Sequence, residues 1–538
     1  MAVDETGVGG FVWPIAREEI LAVGDAFLPP LVAAARRSSD GNDESAELLS
    51  IVLAVFLSET IGLYQAYALC RRLRNLRHTM IPPAKSRLLP ALAAGSAPPP
   101  PPLFEGLRRG LPQSRRRGLA SLYRASTNLQ WNGLSLRLLG HFDRDQDVAA
   151  IQRLPLIRQH ARAVAEFVRF VHPSEWFHSL DGHSRDDAPA ASNADTIEGA
   201  LTAARIGFAA GNEEAPDYLI EYLRDWLVRV MALTGDHLSA ILRQPARVPH
   251  LLWTGSGSGI WSRILRHATR RLGGTVTGHD HGNGEGYLES GVPTLAEFES
   301  CDTFVTFTPT RARALAKGVR DDLLTQPEVP SIISVPSEFR DSSPFQQSNR
   351  RGKRSRARGR SPVIRRVMYP TLYYSGDLVH PMFPLLPDIV EVDWQARLIS
   401  HLRDWGYEVI LKPHPGTHTS SAQVLGDRLG ATTLTERFEN VMDLADVLLF
   451  DYPRTTTFGT ALASNSPVVL IDWEQEPFTS DAREKLQRRC RFVRAWFDEQ
   501  NRLQTDWADL RNGIEESVEL TDRAFFDSYL VFGGAAGG

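Results

Sequence analysis

The chain has 538 residues, of which 42% are apolar and 23% charged, with a net charge of -4. That length exceeds what one hydrophobic core supports, so at least two domains are expected, and the composition excludes a largely disordered chain. With 60 basic and 64 acidic residues, whole-chain attraction to nucleic acid or anionic lipid is excluded; any such contact must come from a local cluster.

Residues 1–14 include Asp4 and Glu5 and lack the basic and apolar regions of a secretory signal. The most apolar stretch, 48–69, carries Glu59 at its middle. A charge at bilayer depth is costly, so the stretch is expected to be a buried helix of a soluble protein. Cys70, Cys301 and Cys490 are widely separated, without metal or redox spacing, which fits a reducing, cytoplasmic setting. Residues 15–240 read as mainly helical, for example around 218–233. Two breaks interrupt them: the proline run 98–102, an extended spacer, and 183–195, an exposed loop.

From Val248 the pattern becomes strand–loop–helix. Strands are expected at 250–254, 275–278 and 303–307, with a helix over 260–272, which indicates a parallel sheet. The Arg-rich run 350–360 has no apolar periodicity and reads as a flexible linker. Beyond it, strands are expected at 363–368, 408–411, 447–450 and 468–471, with an apolar helix face formed by Trp394, Leu398, Ile399, Leu402 and Trp405. The resulting expectation is an α/β protein with two parallel-sheet, Rossmann-like domains and a largely helical N-terminal region. Its divisions are 1–335, a basic linker at 336–362, and 363–538, where helices come after the last strand at about residue 475.

In open parallel sheets ligands bind beyond the carboxyl ends of the strands. After strand 408–411 come Lys412 and His414 within Lys-Pro-His-Pro, where the prolines stiffen a loop carrying a cation and an imidazole donor. After strand 447–450 come Asp451 and then Thr455, Thr456 and Thr457 at a helix start, a pattern that offers donors to an anion. In the first domain, Ser256, Gly257 and Ser258 form a turn that an acceptor or phosphate could approach. His281, in His-Asp-His-Gly, is a candidate base. The His-x-His spacing without further ligands is poor metal geometry, so no metal site is expected.

These pieces, with 446–452 (Asp-Val-Leu-Leu-Phe-Asp-Tyr) and 461–469 (Ala-Leu-Ala-Ser-Asn-Ser-Pro-Val-Val), resemble bacterial surface-polysaccharide and teichoic-acid transferases of the twin-Rossmann GT-B fold. That group includes CDP-glycerol glycerophosphotransferases and capsule glycosyltransferases. The resemblance covers about 248–475. It implies two domains facing a cleft, and a metal-independent transferase that needs no cofactor beyond its nucleotide-activated donor. His414 and the 455–457 helix start would hold the donor phosphates, Lys412 would lend charge, and His281 would face a glycan or lipid-linked acceptor. Where such transferases often carry a ribose-binding Glu, this chain has Thr460, with Asp451 as the alternative carboxylate.

A sugar-nucleotide 2-epimerase uses the same fold and is the second enzyme reading. A non-catalytic protein gripping anions through 350–360 is the reading from another class. That run lacks the interleaved aromatics of a nucleic-acid site, so no nucleic acid is expected. Peripheral attachment to the inner face of the cytoplasmic membrane, through 350–360 and Arg115–Arg117, is the remaining partner expectation.

Overall fold

A computed structural model describes residues 3–4, 7–8, 11, 13–36, 44–77, 86, 88–99, 147–152, 154–164, 166–171, 176, 194–255, 257, 259–281, 285–289, 294–326, 328–336, 364–372, 374, 386–414, 419–464, 466–474, 477–516 and 522–530. The Arg-rich run 350–360, Arg115–Arg117, most of the loop 183–195 and the proline run from 100 lie outside the described residues.

After a two-residue hairpin, β1 (Val3–Asp4) and β2 (Gly7–Val8), the chain builds two sheets. The first contains β3 (Val148–Ala150), β4 (Val168–Phe170), β5 (Leu251–Thr254), β6 (Thr275–His279), β7 (Thr303–Thr306) and β8 (Ser331–Ser334). Its spatial order is β4-β3-β5-β6-β7-β8, parallel throughout. The second contains β9 (Arg366–Pro370), β10 (Glu408–Lys412), β11 (Thr432–Thr433), β12 (Val447–Phe450), β13 (Val468–Asp472), β14 (Arg491–Phe497) and β15 (Leu503–Thr505). The order is β11-β10-β9-β12-β13-β14-β15, with only the β14–β15 pair antiparallel. Runs such as Val-Leu-Leu-Phe in β12 are buried at every position, as a sheet covered on both faces requires. The expected α/β architecture of two parallel-sheet units with helices is therefore present.

Three expectations need correction. The 15–240 region is not only helical, because β3 and β4 join the first sheet there; three-residue strands are too short to show a period. The first strand of the second sheet spans 366–370 instead of 363–368. The sheet also continues past 475 through β14 and β15, where exposed arginines alternate with buried Val493 and Ala495 on a half-covered strand.

The helices Arg17–Arg36, Glu44–Asn75, Ala194–Ala210 and Asp217–Leu242 form a layer beside the first sheet. They are joined by the ring contacts Phe27–Phe56 (5.7 Å) and Phe56–Trp226 (5.9 Å). Glu44–Asn75 is long and apolar enough to cross a membrane, yet most of its apolar stretch is buried inside the protein. Its Glu59 carboxylate accepts a hydrogen bond from the Tyr222 hydroxyl. The chain ends cross over. Trp13 O accepts from Asn501 Nδ2 of the second domain (2.9 Å), while Thr308 and Arg311 of the first donate to Ser528 O and Tyr529 O near the C-terminus.

Candidate functional site

Numbered by chain order within the second sheet, strands β9 to β14 lie in the order 3-2-1-4-5-6. The chain therefore leaves β9 in opposite directions, toward β10 and later toward β12, and a ligand crevice is expected at the carboxyl ends where the order reverses. Because β10, β9 and β12 are neighbours, the segments after β10 and β12 emerge on one edge about 10 Å apart, two strand spacings.

Lys412 closes β10 and is buried; its Nζ donates to Pro413 O (2.8 Å). Burial holds its pKa below the ordinary value, with Glu439 and Glu436 opposing. His414, two residues on, is exposed at the edge. Its pKa is lowered by desolvation and then by the Lys412 charge, so the imidazole is neutral near pH 7 and can donate one N–H or accept at the other nitrogen.

Thr455 is the N-cap of the helix Thr456–Ala463; its side chain accepts from the Phe458 N–H (3.0 Å). That arrangement occupies the Thr455 oxygen and shapes the helix start. The N–H groups of Thr456 and Thr457 belong to the first turn, where no intrahelical acceptor exists, and the exposed Thr456 side chain lies at the same end. Thr460 donates to Thr456 O (2.9 Å) and is buried in its own helix. Asp451 is also buried. Its Oδ2 accepts from the Tyr369 hydroxyl and from Trp394 Nε1 (2.9 Å), while Trp473 Nε1 donates to its carbonyl (2.6 Å). Burial pushes its pKa up to about 6 despite those hydrogen bonds. Asp451 thus braces β9, β12, β13 and the helix Asp388–Asp404 beneath the crevice.

In the first domain, His281 follows β6 with its side chain one-fifth exposed, and its Nδ1 lies 3.7 Å from Glu297 Oε1. Desolvation lowers the His281 pKa, but the Glu297, Glu285 and Asp280 charges outweigh it and the net shift is upward. Burial also raises the pKa of Glu297, so the pair holds a proton more tightly than either group does in water. Glu297 Oε2 accepts from the Gly257 N–H (3.0 Å), which ties the glycine turn to the histidine. Ser256 and Ser258 lie outside the described residues. The buried Arg263 guanidinium donates to Gly257 O (2.9 Å) and Leu295 O (2.5 Å) and fastens the same two loops.

The neighbours of His281 point elsewhere. Asp280 pairs with buried Arg311 (2.7 Å) and accepts from Thr306, whereas His279 turns to Thr254 O (3.1 Å) and His160 (3.0 Å). Among the described residues no group of three or more His, Cys, Asp or Glu side chains is placed to hold a metal ion.

The two edges face each other. Glu285 lies 3.2 Å from Arg311 of its own domain and 3.7 Å from Arg454 of the second, all three side chains being buried. Tyr287 donates to Pro453 O (3.0 Å), and the Glu289 N–H donates to Pro477 O (2.8 Å). The loop after β6 thus meets the segment joining β12 to the threonine helix. Sequence reasoning missed Glu285, Glu297 and Arg454. An Arg directly before a Thr-rich helix start was a local signal for Arg454, but the two glutamates become visible only through contacts distant in sequence.

No protein-family model matches the chain, and no curated protein is similar to it in sequence. What the geometry offers is an edge with N–H donors and cations on the second domain, opposite a histidine–carboxylate pair on the first. Such an arrangement can hold an anion while an imidazole handles a proton across from it.

Proposed function

We propose that the chain is a GT-B-type transferase of bacterial surface-polysaccharide synthesis, moving a glycosyl or glycerophosphoryl group from a nucleotide-activated donor to a hydroxyl acceptor. The observation that carries this reading is the meeting of two carboxyl edges at Glu285–Arg454 and Tyr287–Pro453, with His281 on one side and the 455–457 helix start on the other.

In this reading the Thr456 and Thr457 N–H groups, with His414 and the Lys412 charge, take the donor diphosphate. As the bond to the transferred group breaks, negative charge grows on the leaving phosphate, and donors already aimed at it lower the barrier. His281, in its neutral state, accepts the proton of the attacking hydroxyl, and Glu297 stabilises the imidazolium that forms. Asp451 acts on this scheme through Tyr369 and Trp394, as a brace for the crevice floor.

The test is acceptor-dependent release of nucleoside diphosphate or monophosphate from a panel of CDP-, UDP-, GDP- and TDP-activated donors. Release that requires a glycan or polyol acceptor supports transfer. Conversion of UDP-N-acetylglucosamine to its 2-epimer without any acceptor would replace the proposal by the epimerase reading.

A further inference from the structure

The helix Thr456–Ala463 has no charged side chain in its first or last turn. Its sequence, Thr-Thr-Phe-Gly-Thr-Ala-Leu-Ala, supplies hydroxyl and apolar groups only, and every residue from Phe458 to Ala463 is buried. Each end of a helix carries about half an elementary charge, positive at the amino end and negative at the carboxyl end. The last carbonyls have no donor further along the helix, so a cation at this end has to come from elsewhere in the chain.

Arg489 supplies it. The residue lies between the helix Ser480–Gln487 and β14 and is only 2% exposed. Its Nε donates to Leu462 O (3.0 Å), and its Nη2 is within hydrogen-bond distance of Ala461 O (3.0 Å), Ser464 O (2.7 Å) and Ser466 O (3.2 Å). One guanidinium thus fastens the last turn of the helix and the turn that leads from it into β13.

That cation is balanced by carbonyl dipoles. Among the described residues no carboxylate pairs with Arg489, and desolvation lowers its pKa to about 10, which still leaves it charged at neutral pH. A buried charge is expensive unless it is paired or hydrogen-bonded, and here the helix end compensates it. Neutralising the negative pole leaves the positive pole, about 12 Å away along the helix, without its counterpart. At the amino end Arg454 and Glu285 face each other at 3.7 Å and offset one another.

We propose that Arg489 is a positioning residue of the anion site without touching the anion. From the carboxyl end it fixes the helix against β13 and leaves the amino end a net positive pole. The inference rests on the transferase reading only in taking the anion to be a nucleoside diphosphate. A charge buried behind the helix acts through protein rather than water, so it is screened less than a surface arginine at the same distance.

The test reads the field at the amino end directly, in the full chain. Thr456→Cys places a thiol at an exposed first-turn position, where a positive pole lowers the thiol pKa; the native Cys70, Cys301 and Cys490 are buried. In that background Arg489→Gln, which removes the charge, should raise the thiol pKa by roughly 0.5, and Arg489→Lys, which keeps it, should leave the value in place. Equal values in the two variants would reduce Arg489 to a purely structural role and overturn the proposal. Ser466→Asp keeps the guanidinium and adds a carboxylate to a residue whose carbonyl it already touches. Fields add, so this variant measures how strongly a charge at the carboxyl end is felt at the amino end. It too should raise the thiol pKa, and where Arg489→Gln does not fold, an unmoved thiol in Ser466→Asp overturns the proposal. Affinity for CDP, UDP, GDP and TDP is measured in parallel with Thr456 in place, and should fall roughly fivefold in Arg489→Gln and less in Arg489→Lys. A shifted thiol with no nucleotide binding by the native chain refutes the transferase reading and leaves the role of Arg489 standing. Nucleotide binding with an unmoved thiol does the reverse.

Discussion

Glu285 of the first domain lies between Arg311 of its own domain and Arg454 of the second, at 3.2 and 3.7 Å, with all three side chains buried. Desolvation opposes its charge, but His281, Arg454 and Arg311 together hold its carboxyl below the ordinary range. The carboxylate therefore joins the domains at the crevice that the functional reading needs.

Replacing Glu285 by Gln removes the carboxylate that the buried Arg311 and Arg454 share, while Arg311 keeps its pair with Asp280. Breaking such a pair typically costs about 3–5 kcal/mol, so Glu285→Gln should lower the free energy of unfolding by an amount of that order in urea titrations. An unchanged midpoint and slope would show that the domain contact does not depend on this carboxylate.

Asp451 gives a pH signature. Its folded pKa, about 6, lies above the ordinary 3.8, so the folded state binds the proton more tightly than the unfolded one. Its contribution is greatest in acid and is lost as pH rises through the folded value. Between about pH 5 and pH 8 this amounts to roughly 1–2 kcal/mol. Asp451→Asn, which keeps an oxygen for Tyr369 and Trp394, should flatten that part of the stability profile; an identical slope in both proteins would contradict the assignment.

The threonines at 455–457 separate capping from binding. Thr455→Ala removes the side-chain acceptor for Phe458 N–H and should cost about 1 kcal/mol of stability, with Thr455→Ser restoring most of it. Thr456→Val, on an exposed side chain, should leave stability within about 0.5 kcal/mol while weakening nucleoside diphosphate binding by calorimetry. Equal affinity in Thr456→Val would take that hydroxyl out of the site.

His414 and Glu297 make opposite kinetic predictions. His414→Ala should keep the fold and lower turnover by about 10²–10³, the usual loss for one donor to a developing anion. Glu297→Gln removes a charge that raises the His281 pKa, so the rising limb of the rate–pH profile should move to lower pH. A limb that stays in place would separate His281 from the proton-transfer step.

Much of the second domain was legible in the residues. All-apolar runs such as 447–450 admit little but a buried strand, and the residues next after a parallel strand lie at the carboxyl edge. The two sheet orders were not legible, because crossover direction leaves no local mark. β14 escaped notice since its arginines mask a period-two pattern. Asp451 and Thr460 illustrate a different limit. Asp451 was read as ligand-facing from its position, yet it is enclosed by Tyr369 and Trp394, and Thr460, which stands where related transferases carry a ribose-binding Glu, bonds back to Thr456 O. A polar side chain at an edge can serve the edge itself, and only its partners distinguish the two roles.

One anion-binding pocket is expected to span the segments after β10 and β12. Calorimetric titration of the full chain with CDP, UDP, GDP and TDP tests it most directly. The prediction is saturable one-to-one binding of at least one of them, weakened in both His414→Ala and Thr456→Val and retained in His281→Ala. No binding by any of the four, or binding untouched by both second-domain substitutions, would contradict it.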